Sequence, residues 1–101
     1  MNKFNEYQQR LWKNMVSLID SYLKDNITFS ELVSNLHGSI QVGEFKDQEL
    51  VKKWYEYWGA LEIHNAVAID KNIIPKKDDV INDVENLRKF LVEQLETQKK
   101  E

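Results

Sequence analysis

The chain has 101 residues, of which 42% are hydrophobic and 31% are charged, and its formal net charge at pH 7 is −3. This length suits one compact domain and is too short for two, while an aromatic content of 11% argues against disorder. The excess of acidic residues disfavours nucleic-acid binding, which needs a basic face. Because the chain has only three Gly and one Pro, few tight turns are available and an all-β architecture is disfavoured.

Cysteine usage and targeting signals point to the cytoplasm. The sequence contains no cysteine, which excludes disulfides, thiolate zinc sites and Cys nucleophiles. Residues 1–10 are polar and lack the apolar run of a secretory signal peptide, and no segment has about 18 consecutive apolar residues. We therefore expect a cytoplasmic protein that does not insert into membranes. Frequent Lys, Ile and Asn are typical of an AT-rich bacterial genome.

The first two predicted helices cover residues 4–23 and 28–42, where apolar residues recur at three- and four-residue steps. The start of the first is weakly marked, whereas Asn26 after it is suited to the left-handed conformation that ends a helix. Thr28 and Glu31 form a capping box at the start of the second. Gly38 interrupts the second helix and indicates either a close backbone approach or a helix that bends or ends early, and we favour the close approach.

The third predicted helix covers residues 48–70, with Asp47 as its N-cap. An apolar stripe about 100° wide runs along it. Its members are Leu50, Trp54, Tyr57, Trp58, Leu61 and Ala68. Because Tyr55, Ile63 and Val67 lie on other sides, we expect this helix to be the most buried and to be enclosed by the other three.

The fourth predicted helix covers residues 76–96. Ile73 and Ile74 form an apolar strap before it, Pro75 starts it, and the polar residues 97–101 are expected to fray. Short connections between long helices favour antiparallel neighbours. The sequence therefore predicts an all-α fold, a single domain over residues 1–101 arranged as an antiparallel up-down four-helix bundle.

No motif for catalysis, cofactor binding or metal binding stands out. Neither histidine has a Glu three residues before it, as the di-metal bundles require, since position 34 is Ser and position 61 is Leu. A Gly-x-Ser-x-Gly nucleophile element and a phosphate-binding glycine loop are also absent from the sequence. We therefore expect a protein without enzymatic activity, cofactor or metal.

Three polar residues lie close to the apolar stripe of the third helix. Asn65 falls inside the stripe, Glu62 at one edge and His64 beside the other. Buried polar groups are costly unless they are paired. Glu62 and Asn65 either form hydrogen bonds that fix the register of the bundle or line a pocket or partner surface, and we favour the first interpretation. For His64 we favour a hydrogen bond to a neighbouring side chain over a functional role.

A second set of candidates surrounds the start of the third helix. The acids Glu44, Asp47, Glu49 and Glu56 cluster there and could present a negative face to a basic partner, with Tyr55 beside them, although a solvated face is the more common explanation. Trp12, Tyr55 and Phe90 lie off the centres of their stripes and could be partly exposed, as interface aromatics are. These aromatics could equally lie in a thick core or in a homodimer seam. We favour either of these two explanations over an exposed binding surface.

Several segments resemble small bacterial all-helical proteins, many of them uncharacterised, across about residues 18–95. The matching segments are Tyr22-Leu23, Ile27-Thr28-Phe29-Ser30-Glu31-Leu32-Val33, Leu36-His37-Gly38, Trp54, Trp58, Leu61-Glu62 and Ala66-Val67-Ala68-Ile69-Asp70. The chain is also similar to the small acidic bundles that act as immunity proteins against bacterial toxins, such as the colicin D immunity type. This resemblance implies a fold and a class, with no functional residue carried over.

These observations lead to an expected function. We expect a non-enzymatic bundle that binds another protein, in its sharpest version an immunity-type protein whose acidic face blocks a basic toxin. Such association should weaken as salt rises. The alternative is a homodimeric or small-ligand-binding bundle in which Glu62, His64 and Asn65 line a central cavity.

Overall fold

The computed structural model describes residues 4–99 of the chain, with side chains to residue 97. Those residues form four helices and no strand: α1 (Glu6–Leu23), α2 (Phe29–Val42), α3 (Gln48–Lys71) and α4 (Lys77–Lys99). The predicted all-α class is therefore confirmed.

Hydrogen bonds between the helices show their directions. The side-chain amide of Gln8, near the start of α1, donates to the Gly43 carbonyl after α2 at 2.8 Å. The Trp12 indole donates to the Leu91 carbonyl late in α4 at 2.9 Å. Each helix packs against two neighbours, and among the described residues the diagonal pairs α1–α3 and α2–α4 have no close backbone approach. The predicted antiparallel up-down bundle is confirmed, with the helices at four corners.

Local capping explains where three of the helices begin. The predicted capping box at Thr28 and Glu31 is present, with bonds of 2.9 and 3.1 Å. Asp47 caps α3 by accepting the Leu50 amide at 3.1 Å, as predicted. The start of α1, which the apolar pattern marks only weakly, has a second capping box formed by Asn5 and Gln8.

Some predicted helix ends need correction. The left-handed residue after α1 is Asp25, with φ 64°, because the amides of Asp25 and Asn26 bond back to α1 in a Schellman motif. Helix α4 begins at Lys77, so Pro75 precedes it by two residues. The helix continues to Lys99, three residues beyond its predicted end at residue 96, and residues 100 and 101 of the predicted frayed tail lie outside the described residues.

Two aromatic residues that lie off the centres of their helix stripes belong to the core. Trp12 is fully buried and Phe90 nearly so, which agrees with the thick-core interpretation of these two aromatics and not with partial exposure. Phe45 packs against the Trp12 ring at 5.4 Å. Tyr57, predicted in the buried stripe, is instead 38% exposed and stacks on Phe90 with ring centroids 5.0 Å apart.

Gly38 has no packing role. A Cβ at this position would meet no other atom within 4 Å, and α2 continues past it to Val42. The favoured close approach at Gly38 is therefore wrong.

Helix α3 is not enclosed by its companions, contrary to expectation. It has 24 residues against 14 in α2, so it extends about 15 Å beyond α2. The two helices are level where the short connection 43–47 joins them, and the Trp58 indole donates to the Val33 carbonyl at 3.0 Å near the start of α2. Residues 62–71 therefore extend beyond the end of α2; we call this segment the overhang.

Candidate functional site

The predicted acidic surface at the start of α3 has a mixed charge. Glu44, Glu49 and Glu56 are exposed, whereas the Asp47 carboxylate is engaged in capping α3. Three lysines are interspersed among the four acids between positions 44 and 56, and all three lysines are exposed. The charges therefore nearly balance, and this region offers only weak attraction for a basic partner.

Tyr55 belongs to an aromatic cluster between α2 and α3. The His37 ring lies flat against Trp58, with ring centroids 4.7 Å apart, and Tyr55 meets both rings edge-on at 5.9 Å. Glu56 lies about 100° further around α3 and lines a different groove, between α3 and α4. The predicted partner-binding residues thus lie on two separate faces.

The polar residues near the stripe do not converge on one cavity. His64 Nε2 lies 2.9 Å from Asp83 Oδ2 and joins α3 to α4. Glu62 lies about 200° around the helix from His64, on the side towards α2. The side chains of Glu62 and Asn65 are half-buried and have no hydrogen bond to any described residue. Only His64 therefore forms the kind of bond that would fix helix register.

Two further ion pairs attach α4 to the end of α1. The Arg88 guanidinium donates to both carboxylate oxygens of Asp20, at 2.8 and 3.2 Å. This hydrogen bond lowers the pKa of Asp20 below its ordinary value. Lys77 Nζ contacts Asp25 at 2.6 Å and donates to the Leu23 carbonyl at 3.2 Å. Burial raises the pKa of the neighbouring Tyr22.

An exposed apolar cluster lies at the end of the overhang, and the sequence pattern did not identify it. We call it the apolar tip, and its side chains are between 46% and 87% exposed. Its members are Ile63, Val67 and Ile73, which line one groove, and Ile74, which directly follows Ile73. Ile63 and Val67 were expected to contact neighbouring helices. They are solvent-exposed because Ile63 lies about 180° around α3 from buried Trp54, where no helix packs.

A shallow groove crosses the apolar tip. Its volume is about 180 Å³ and its apolar lining comes from both α3 and the connection to α4. The lining residues are Ile63, Val67, Ala68, Ile73 and Pro75, with His64 and Asp79 at the rim. Asn72, at φ 55°, ends α3 in the left-handed conformation, and the Ile73 amide bonds back to the Ala68 carbonyl at 2.9 Å. This Schellman motif brings Ile73 into the groove and leaves Ile74 87% exposed beside it.

Two exposed charges flank the groove. Lys76 follows Pro75, and Asp79 lies at the groove rim in the first turn of α4. Neither side chain has an ion-pair partner among residues 4–97. Asp83, by contrast, is already engaged with His64.

No family model matches the chain, and no curated protein or solved structure shows significant similarity to it. Within residues 4–97 no three His, Asp or Glu side chains are grouped in the way that a metal site requires. None of the helices, as far as the structure describes them, is long and apolar enough to cross a bilayer.

Proposed function

We propose that this protein is a non-enzymatic helical bundle that binds another protein through the apolar tip. The observation that carries the proposal is the exposure of four large apolar side chains at one end of the bundle. Large contiguous apolar patches are uncommon on monomeric proteins, and those that occur often mark interaction sites. Full burial of one such side chain contributes about 1.5–3 kcal/mol, so covering the tip would stabilise a complex by several kcal/mol.

The tip is also held in position before any partner arrives. The His64–Asp83 pair attaches the overhang to α4, and the Schellman motif at Asn72 fixes the course of the connection. Binding therefore needs little ordering of the backbone, which lowers the entropic cost of association.

An immunity-type role would be a particular case of this proposal, in which the partner is a toxin domain. The exposed acids Glu44, Glu49 and Glu56 support it, but the interspersed lysines leave little net charge for steering. In this version the apolar tip supplies most of the affinity, so raising the salt concentration would weaken binding only slightly. The cytoplasmic location and bacterial origin stay predictions from composition.

Site-specific photo-crosslinking of the full chain in extracts of the source cells tests the proposal. A benzoylphenylalanine at position 74 is expected to form protein adducts, because Ile74 is the most exposed residue of the tip. Position 42 is the matched control, since Val42 is 56% exposed but lies at the end of α2 away from the tip.

The substitution Ile63→Asp should abolish the adducts formed from position 74 without unfolding the protein, because Ile63 is mostly exposed. Circular dichroism checks the fold of each variant. If positions 74 and 42 gave the same adducts, or if position 74 gave none, the apolar tip would not be a binding surface.

A further inference from the structure

We propose that the partner of the apolar tip is a second copy of this chain, with each copy inserting its Ile74 into the groove of the other. This inference rests on the proposed function and identifies the partner. Two observations carry it: the tip has a projecting side chain next to a groove that fits it, and its unpaired charges are of opposite sign.

The shape of the tip is self-complementary. Ile74 is 87% exposed and directly follows Ile73, which lines the groove. The groove volume of about 180 Å³ is enough for one aliphatic side chain, and its lining is apolar. Because Ile74 lies between Ile73 and Pro75, which both line the groove, a twofold axis through this segment places each Ile74 over the opposite groove. Such an isologous contact closes at two copies and leaves no free site for further growth.

The charges of the tip favour the same partner. Lys76 lies two residues after Ile74, and Asp79 lies at the rim of the groove. Both are exposed and have no ion-pair partner among the described residues. When Ile74 of one copy enters the groove of the other, Lys76 comes to the rim that carries Asp79. The twofold axis forms this pair twice, so the charges add specificity for a second copy.

The expected dimer is weak. Four apolar side chains from each copy and two charged pairs correspond to the small end of protein interfaces, where association is transient. We therefore expect a dissociation constant in the micromolar range and a mixture of monomer and dimer at ordinary laboratory concentrations.

Sedimentation equilibrium over a hundredfold range of concentration measures this association directly. The weight-average mass of the wild-type chain should rise from that of one copy towards that of two and should not exceed it. Ile74→Asp and Ile63→Asp should each shift the dissociation constant upward at least tenfold. Val42→Asp is the matched control at an exposed apolar position outside the tip, and it should leave the constant unchanged.

A charge exchange distinguishes a second copy from any other partner. Lys76→Asp alone and Asp79→Lys alone should each weaken self-association several-fold, since each places like charges opposite one another in both symmetric pairs. An equimolar mixture of the two variants should restore the wild-type constant, because the mixed dimer contains two pairs of opposite charge. Thermal unfolding of each variant confirms that the bundle itself is intact.

Three outcomes would overturn the inference. The first is a monomer at every concentration, and the second is a dimer that survives Ile74→Asp and Ile63→Asp or responds equally to Val42→Asp. The third is the absence of rescue in the mixture of charge variants. If the chain is monomeric but position 74 still forms adducts with a different protein, the dimer is refuted and the proposed binding function stands. If the chain neither self-associates nor forms adducts from position 74, the proposed binding function is refuted as well.

Discussion

The two halves of α3 have a similar share of apolar residues but opposite surroundings. Residues 48–61 contribute Leu50, Trp54 and Leu61 to the core, whereas residues 62–71 have one buried residue, Ala68. The difference arises from neighbours and not from hydrophobicity, because α2 covers only the first half and α4 alone supports most of the second. Apolar side chains therefore stabilise the fold in one half of the helix and are exposed to solvent in the other.

Truncation of one residue in each half gives the largest expected contrast. Trp54→Ala removes a fully buried ring and should lower the free energy of unfolding by about 3–5 kcal/mol. Ile63→Ala in the overhang should change it by no more than about 0.5 kcal/mol. Urea denaturation, monitored by circular dichroism below the concentration of self-association, measures both. A loss above about 2 kcal/mol for Ile63→Ala would mean that the overhang belongs to the core.

The buried tryptophans sharpen the description of the enclosed half. The Trp12 indole donates to the Leu91 carbonyl, whereas the Trp54 indole N–H has no acceptor among the described residues. Replacing each by Phe removes a similar volume, but only Trp12→Phe breaks a hydrogen bond. Trp12→Phe should therefore cost about 1–2 kcal/mol more than Trp54→Phe in the same denaturation experiment. Equal losses would indicate that the Trp54 N–H is also paired in solution.

Two glycines in helices offer a gain of stability. A Cβ at Gly59 or Gly38 would meet no other atom within 4 Å. Gly59→Ala and Gly38→Ala should each raise the free energy of unfolding by about 0.5–1 kcal/mol, because Ala restricts the unfolded chain more than Gly does. Gly43→Ala is the contrasting control, since its Cβ would overlap the Phe45 ring and should destabilise the protein. A loss at Gly59 would show that the outer side of α3 is covered.

The smallest expected effect is the pH dependence of the seam between α1 and α4. The hydrogen bond from Arg88 lowers the pKa of Asp20 in the folded state. The stabilisation that this pair gives to the folded protein is therefore complete above the ordinary Asp pKa of about 3.9. It is lost as the pH falls through the lower pKa of the folded state. Both side chains are about 40% exposed, so solvent screening limits the effect to about 0.5 kcal/mol. Asp20→Asn should flatten the decrease of the melting temperature between about pH 4 and pH 2. An unchanged slope would mean that the pair is not formed in solution.

Local signals in the sequence predict the helices well, and the surroundings of the helices less well. The capping residues Thr28 and Asp47 identify two helix starts because the required side chains are adjacent in sequence. Asn5 was missed because Gln8, its partner in the capping box, lies in a stretch without a strong apolar pattern. Periodicity shows which residues share a face of a helix, but not whether another helix covers that face.

The apolar tip could have been found from helix lengths. The predicted helices 28–42 and 48–70 already differ by about two turns, and short connections force the excess to one end. The exposure of Ile63 and Val67 follows from that difference, whereas their apolar character alone suggested burial. The position of Ile74 beside the groove depends on the left-handed conformation of Asn72, which the sequence indicates only as a place where α3 stops.

The length difference between α2 and α3 has an evolutionary consequence. Substitutions at the tip escape the steric demands that constrain the interior, since the first half of α3 and the other helices maintain the fold. Recognition could then diversify by changing a few codons between positions 63 and 79 while folding stays intact. Related chains, once compared, should vary most at this end and least at the positions around Trp54.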